Sequence, residues 1–322
     1  MYNLGLTDIS NWPSGNQRFV PIGKRIKKVV LHPETFELYY FKEPKEKYPW
    51  EFWNEIIAHK VGVKLGFNVL KYEPAILEGI GGCLSKSMTE DFTQELIHGQ
   101  QVLLRIYPEF ETKKGTDHTF QLVESFFKSL NDEEERKSIL KEFIEMLVFD
   151  AVIGNRDRHQ QNWAIIREIK VKMRTKKFFG FKKQPDIPII TRLVRFSPLF
   201  DNGNCLAYNI IEEKLDAFIN DENKLDKYLF GEKAVSHLKW YGTPMPHIEL
   251  LKHISKIYPE EVLKSVSKVN ESFNENIIKD IIFNIDNGVI FAEEKYILSP
   301  KRKELISKLI TFRTKRLLEA LL

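Results

Sequence analysis

Apolar residues alternate with polar ones over the first part of this chain and recur at three- and four-residue steps over most of the rest. Ile26-Lys-Lys-Val-Val-Leu31 and Glu37-Leu-Tyr-Tyr-Phe-Lys42 are rich in β-branched and aromatic residues and predict strands, as does Phe19-Val20. His32-Pro-Glu-Thr35 supplies a turn between the two longer runs. Trp53, Ile56, Ile57, Val61 and Leu65 then share one face of a helix over 50–65, with Gly66 as its C-terminal cap. Further strands are expected over 69–84, broken at Glu78-Gly-Ile-Gly-Gly82. From Thr93 the pattern becomes mainly helical. Asn131 or Asp132 caps a helix that runs to about Ile153, with Glu133, Glu134 and Glu135 in its first turn, where the helix dipole favours negative charge. Amphipathic helices follow around His247–Tyr258, Glu260–Val269, Ile277–Asn287 and Pro300–Leu322. The expectation is an α+β chain with a β-rich N-terminal lobe holding one helix, residues 1–88, and a larger helical lobe, residues 89–322.

Composition narrows the class without naming a function. The 322 residues are enough for one two-lobed domain or two small ones with ample core. With 43% hydrophobic and 29% charged residues the balance is that of a water-soluble globular chain. No apolar stretch is long enough to cross a bilayer. The first residues lack the basic start and apolar core of a Sec-type signal, so a cytoplasmic location is expected, with export by a signal-independent route left open. Cys83 and Cys205 lie far apart without metal-ligand spacing, which suits a reducing compartment. A net charge of +4 does not by itself point to nucleic acid as a partner.

The chemistry is concentrated in Val152-Ile-Gly-Asn-Arg-Asp-Arg-His-Gln-Gln-Asn-Trp163 and Ser197-Pro-Leu-Phe-Asp-Asn-Gly203. An apolar helical run from Ile139 to Val152 leads into the first, and its polar stretch from Asn155 to Asn162 is flanked by apolar residues on both sides. Asp201 follows a strand-like run, Phe196–Phe200, and opens an Asp-Asn-Gly turn. Asp157 and Asn162 have the Asp-x-x-x-x-Asn spacing of a kinase catalytic loop, and Asp201 stands where a later metal-binding Asp is needed. Phosphoryl transfer requires such a set: one carboxylate to orient the attacking hydroxyl, and an Asn and a second Asp to hold Mg²⁺ on ATP phosphates. Taken singly, the same residues also suit two polar surface turns.

The ordered combination resembles the HipA-like Ser/Thr kinases, including their shorter CtkA-type members, which carry Gly-Asn-x-Asp-x-His-x-x-Asn followed by Pro-x-Tyr/Phe-Asp. Asp157-Arg-His-Gln-Gln-Asn162 is also similar to the loop of phosphatidylinositol 3- and 4-kinases. The resemblance extends upstream through Leu38-Tyr-Tyr-Phe-Lys42 and Asn54-Glu-Ile-Ile-Ala58 and spans roughly residues 20–210. It implies a bilobal protein-kinase-like fold with ATP and Mg²⁺ as cofactors between the lobes. Lys42 would be the strand lysine on the α- and β-phosphates, with Glu55 as its carboxylate partner. Asp157 would orient the substrate hydroxyl, and Asn162 and Asp201 would ligate Mg²⁺. His159 is expected to hydrogen-bond the loop or Asp201. For Arg158, pairing with a phosphate and exposure to solvent both stay open. Pro13-Ser-Gly-Asn-Gln-Arg18 and Ile22-Gly-Lys-Arg-Ile-Lys-Lys28 are the candidate segments for the phosphate-covering loop; Gly23 and Lys24 of the second could meet phosphates, although it is equally an ordinary basic turn. By order along the chain, Met88 would stand near the hinge that meets adenine. Ser14 is the one candidate for the loop serine that longer members autophosphorylate.

One segment exceeds a minimal kinase. A basic insertion at about 168–190 interleaves Lys170, Lys172, Arg174, Lys176, Lys177, Lys182 and Lys183 with Phe178, Phe179 and Phe181. It reads first as an exposed hairpin or flap between strands, and second as a surface for RNA, an acidic protein or anionic lipid. The resemblance implies transfer to protein Ser or Thr hydroxyls, a toxin or effector setting, and an antitoxin or regulatory protein as partner. Two other functions remain: a lipid or small-molecule kinase using the same loop, and a nucleotide-binding regulator that acts through the basic insertion.

Overall fold

The computed structural model describes residues 5–15, 27–90, 93–174, 187–231 and 234–322. Gly23, Lys24, Phe19-Val20 and the tip of the basic insertion lie outside the described residues.

The N-terminal region is a five-stranded sheet of β1 (Thr7–Asp8), β2 (Lys27–Leu31), β3 (Leu38–Lys42), β4 (Glu73–Leu77) and β5 (Ile80–Lys86), in the order β1-β4-β5-β3-β2. All pairings are antiparallel except that of β1 with β4. The alternation of side chains sends Phe41 into a small core with Ile9, Val30, Ala75, Leu77 and Leu84, so Lys42 emerges on the other face. β3 is an inner strand: Lys42 is paired with Lys27 on one side and Cys83 on the other, which fixes its backbone in place.

Helix α1 (Phe52–Lys64) follows β3, and Gly66, with φ of 82°, turns the chain out of it. α1 lies between β3 and β4 in sequence, yet its apolar side joins the main core of the molecule. Trp53, Ile56, Ile57 and Val61 pack in one cluster with Phe143, Phe149, Leu251 and Ile310, and Trp53 Nε1–H donates to the Tyr296 carbonyl at 2.7 Å. Gly62 permits this approach, since a Cβ there would lie 2.3 Å from Val69 Cγ2 and 3.2 Å from the Phe149 ring.

The region after residue 93 is mainly helical, as expected, but it also holds a three-stranded sheet. It opens with β6 (Gln94–His98), which pairs with β7 (Ala164–Arg174), itself paired with β8 (Ile187–Phe196). β6 is short, and pairing with β7 rather than its own propensity makes it a strand. β7 and β8 run well into the basic insertion, with Arg174 opposite Ile187, so the flanks of that insertion are a regular hairpin. The strand expected over 196–200 stops at Phe196. Pro198 has no N–H for a ladder, and only Leu199 bridges to Val69.

Ten α-helices are formed among the described residues. Those beyond α1 are α2 (Gly99–Ile106), α3 (Phe120–Ser129), α4 (Glu133–Ile153), α5 (Leu215–Ile219), α6 (Glu222–Phe230), α7 (His247–Ser255), α8 (Pro259–Ser272), α9 (Glu275–Phe283) and α10 (Pro300–Leu321). Asp132 caps α4 by accepting from Glu135 N–H at 2.8 Å. From Phe143 to Ile153 every residue of α4 is buried, so its C-terminal half is the central strut of the core. Gly154, at φ of 68°, ends the strut in the left-handed region and starts the polar loop.

In a helix interior Gly→Ala ordinarily gains about 1 kcal/mol. At Gly62 the close contacts with Val69 and Phe149 should outweigh it, for a net loss of about 1–3 kcal/mol. Thermal unfolding of Gly62→Ala should therefore show a lowered Tm, with recovery in Gly62→Ala/Val69→Ala; a raised Tm in the single variant would contradict the packing.

Candidate active site

Three elements meet at the end of β3. Lys42 Nζ contacts Glu55 Oε1, from α1, and lies 2.5 Å from Asp201 Oδ1, from the turn beyond β8. The other Glu55 oxygen accepts the Asn202 backbone N–H at 2.7 Å. Lys42 is 3% exposed and Glu55 0%, so this ammonium is set in a nearly dry site between two carboxylates. Such a site is stable only because charge and hydrogen bonds compensate desolvation on both sides. One ammonium against two carboxylates leaves a net negative site, with Asp201 the more exposed of the two acids. Asp201 has φ of 57°, an uncommon backbone for a non-glycine residue. The bonds to Asn202 and Phe200 on either side of it hold that conformation.

The loop after α4 is built from side chain to backbone bonds. Asn155 Oδ1 accepts from Asp157 N–H at 3.1 Å, and the Asn155 carbonyl accepts from His247 Nε2–H at 2.8 Å. Asn162 Nδ2–H donates to the Asp157 carbonyl at 2.7 Å, closing the loop on itself. His159 Nδ1 accepts from Gln161 N–H at 3.1 Å and so stiffens the same turn. Asn204 Nδ2–H donates to Asp157 Oδ2, which orients that carboxylate. With its NH₂ engaged, Asn162 has its amide oxygen to offer a cation. From behind, His98 Nδ1–H donates to the Gln161 carbonyl at 2.9 Å, and Gln100 N–H to the Gln160 carbonyl at 2.7 Å.

Arg158 does neither of the things the sequence left open. Its side chain is 1% exposed and all five of its N–H donors are used. They reach Asp150 of α4 at 2.7–3.2 Å, the carbonyls of Asn162 and Phe200 at 2.8 and 2.6 Å, and Asn202 Oδ1 at 2.7 Å. Burial pushes the Asp150 carboxyl up while the guanidinium opposes that shift, and the Asp150 carboxylate in turn raises Arg158. One side chain thus ties α4, the Asp157–Asn162 loop and the Asp201 turn together. The sequence carried one sign of it: Asp150 is a lone acid amid Phe149, Ala151, Val152 and Ile153.

Between these elements lies a cleft of about 570 Å³ lined in part by Asp157, His159, Asn162 and Asp201. Lys42 and Glu55 stand behind Asp201. Met88 is half-buried at the bend after β5 and does not line this cleft. Among the described residues no group of His, Cys, Asp and Glu is sufficient to hold a metal ion alone. The hard oxygen donors of Asp201 and Asn162 suit Mg²⁺, an ion that completes its shell with water and phosphate oxygens. Sequence reasoning missed Arg158, Asp150, Asn202 and Asn204, and also Asn54, whose Nδ2 donates to the Gly203 and Cys205 carbonyls. Lys113, Lys114 and His237 also line the cleft and were not anticipated.

No family model and no curated relative matches the chain. Solved structures do. The fold is similar to that of the Helicobacter pylori proinflammatory kinase CtkA, with a TM-score of 0.72, 18% identity, and coverage of 98% of this chain and 96% of that one. It is also similar to HipA in the HipA, HipB and operator DNA complex of the Shewanella oneidensis MR-1 toxin–antitoxin system, with a TM-score of 0.52, 11% identity, and coverage of 94% and 67%. The chain therefore has the fold of the HipA-like kinases, with a β-sheet N-terminal region and a helical C-terminal region.

Arg158→Leu strands the Asp150 carboxylate in the core and should cost about 3–5 kcal/mol, measured by chemical unfolding; a loss below 1 kcal/mol would contradict the role of the pair. Acid sensitivity has a different source. Burial pushes His247 down to about 3 from its ordinary 6.5, so the folded chain binds fewer protons than the unfolded one between those values. The stabilisation is complete above pH 6.5 and is lost as pH falls towards 3, at about 1.4 kcal/mol per pH unit. His247→Gln, which keeps a donor for the Asn155 carbonyl, should flatten the acid limb of Tm against pH; an unchanged limb would sink this assignment.

Proposed function

We propose that this chain is an ATP- and Mg²⁺-dependent kinase that transfers the γ-phosphoryl group to serine or threonine hydroxyls of a protein. The observation that carries the reading is that Asp157, Asn162 and Asp201 line one cleft of a kinase fold, with the Lys42–Glu55 pair joined to Asp201. Lys42, held by Glu55, supplies positive charge for the α- and β-phosphates. Asp201 and Asn162 hold Mg²⁺, which when bound neutralises phosphate charge. Asp157, with one oxygen engaged by Asn204, orients the hydroxyl and takes its proton as the oxygen attacks. His159 and Arg158 act through the loop: one stiffens its turn, and the other fixes Asn162 relative to Asp201.

HipA was solved with HipB and operator DNA. That complex supports a partner protein, an antitoxin or other regulator, for this chain, in a toxin or effector setting. No helix among the described residues is long and apolar enough to cross a membrane, and a cytoplasmic site of action belongs to the same proposal.

Incubation with Mg²⁺, γ-labelled ATP and a cell lysate tests the reading. Wild type should label protein bands at Ser or Thr, and Asp157→Ala and Asp201→Ala should each lower the rate about a hundredfold or more. Equal labelling by the variants would refute the site, and label confined to lipid or small molecules would replace the acceptor.

A further inference from the structure

Two features of the cleft have no part in the chemistry above, and both are hydrogen-bond donors or cations. The first is a histidine relay. Trp163 Nε1–H, a donor only, points at His118 Nε2 at 3.2 Å, so that nitrogen accepts and carries no proton. His118 is buried, and burial holds it well below its ordinary pKa; its proton is therefore on Nδ1. That N–H faces His237 Nδ1 at 3.4 Å. His237 must then accept at Nδ1 and carry its own proton on Nε2, at the far side of a ring that lines the cleft. Burial lowers His237 to about 4, which keeps it neutral in ordinary buffers. Its ring meets that of His159 edge-on, with centroids 5.8 Å apart, and the Asp157 charge acts on it. The relay thus delivers one oriented N–H donor beside the proposed catalytic carboxylate.

The second feature is the turn that carries Lys113 and Lys114. The Glu111 carboxylate accepts both of their backbone N–H groups, at 2.7 and 2.6 Å, so its charge is engaged within the turn. Gln160 Nε2–H binds the Thr112 carbonyl at 2.8 Å, which fastens this turn to the Asp157–Asn162 loop. Both lysine side chains are exposed and line the cleft. The acids that share the lining are already matched: Glu43 with Lys28, Asp201 with Lys42, and Asp157 with Asn204.

We propose that His237, Lys113 and Lys114 form the acceptor subsite, built to take the side-chain carboxylate of an Asp or Glu adjacent to the reacting Ser or Thr in an acidic peptide. This rests on the kinase reading. The donors stand on the helical side of the cleft, on segments tied to the Asp157 loop, whereas the nucleotide is assigned to Lys42 and Asp201. A carboxylate between two ammonium groups and a fixed N–H makes charge-assisted bonds that a neutral or basic flank lacks.

The test is an array of serine and threonine peptides with acidic, neutral or basic flanks, run beside the labelled lysate and phosphatidylinositol vesicles. Wild type should prefer acidic flanks over neutral ones by about tenfold in kcat/KM, less at high salt. Lys113→Ala/Lys114→Ala should bring the ratio close to one. His237→Phe should lower it through the peptide KM, and His237→Gln, whose amide restores a donor near the Nε2 position, should recover most of it. A merely structural role for His237 would move the acidic and neutral peptides alike and would give no such recovery, which would overturn its assignment. Labelled lysate proteins with a flat array would overturn the inference and leave the kinase reading standing. Label on vesicles alone would overturn it in favour of a lipid acceptor. No label anywhere would sink the kinase reading and this inference with it.

Discussion

Arg158 is the side chain on which the arrangement of the cleft depends. A guanidinium with 1% exposure is tolerable only when each N–H has an acceptor, and here the acceptors come from α4, the Asp157–Asn162 loop and the Asp201 turn. Asp157 and Asn162 are close in sequence, but Asp201 arrives after the long β7–β8 hairpin. A rigid five-donor fork can satisfy those acceptors in one geometry only, so satisfying Arg158 and placing Asn162 against Asp201 are the same event. The loop's other bonds are local and set its internal shape; this one sets its place.

The second tie runs between the two regions of the chain. Lys42 leaves an inner strand of the sheet, Glu55 stands on a helix embedded in the main core, and Asp201 comes from the turn beyond β8. Because α1 packs on β4 and β5 on one side and on α9 and Phe149 of α4 on the other, the carboxylate that holds Lys42 is anchored between the sheet and the C-terminal mass. The strand lysine is therefore located by a helix that bridges the two regions. Asp201, the more exposed of the two carboxylates and strained in its backbone, is the group left to meet a cation.

Much of this architecture was legible in the sequence because it is written locally. The Asp132 cap, the acidic first turn of α4, the stripe of α1 and the four C-terminal amphipathic helices each follow from periodicity and capping within one segment. β6 was not legible, since its strand character comes from β7, whose paired residues lie 66 or more positions further on. For the cleft, Asp157, Asn162 and Asp201 stood out by spacing and resemblance, and the structure brings them together. Arg158 did not, because the same residue type in a polar loop is equally at home on solvent or on phosphate; only its partners decide. The Trp163–His118–His237 relay spans separations of 45 and 119 residues, and no pattern within a segment announces it.

The central claim is that these residues form one Mg²⁺–ATP site, and ligand-linked stability measures that without any assumption about the acceptor. Thermal unfolding should be followed with a non-hydrolysable ATP analogue, with and without Mg²⁺, in wild type, Asp201→Asn and Asn162→Ala. The account predicts a Tm rise for wild type that grows with ligand concentration, requires Mg²⁺, and is largely lost in both variants; at a hundredfold excess over Kd the stabilisation should be about 2.7 kcal/mol. A rise of equal size in the variants, or no rise in the wild type at any concentration of analogue and Mg²⁺, would contradict it.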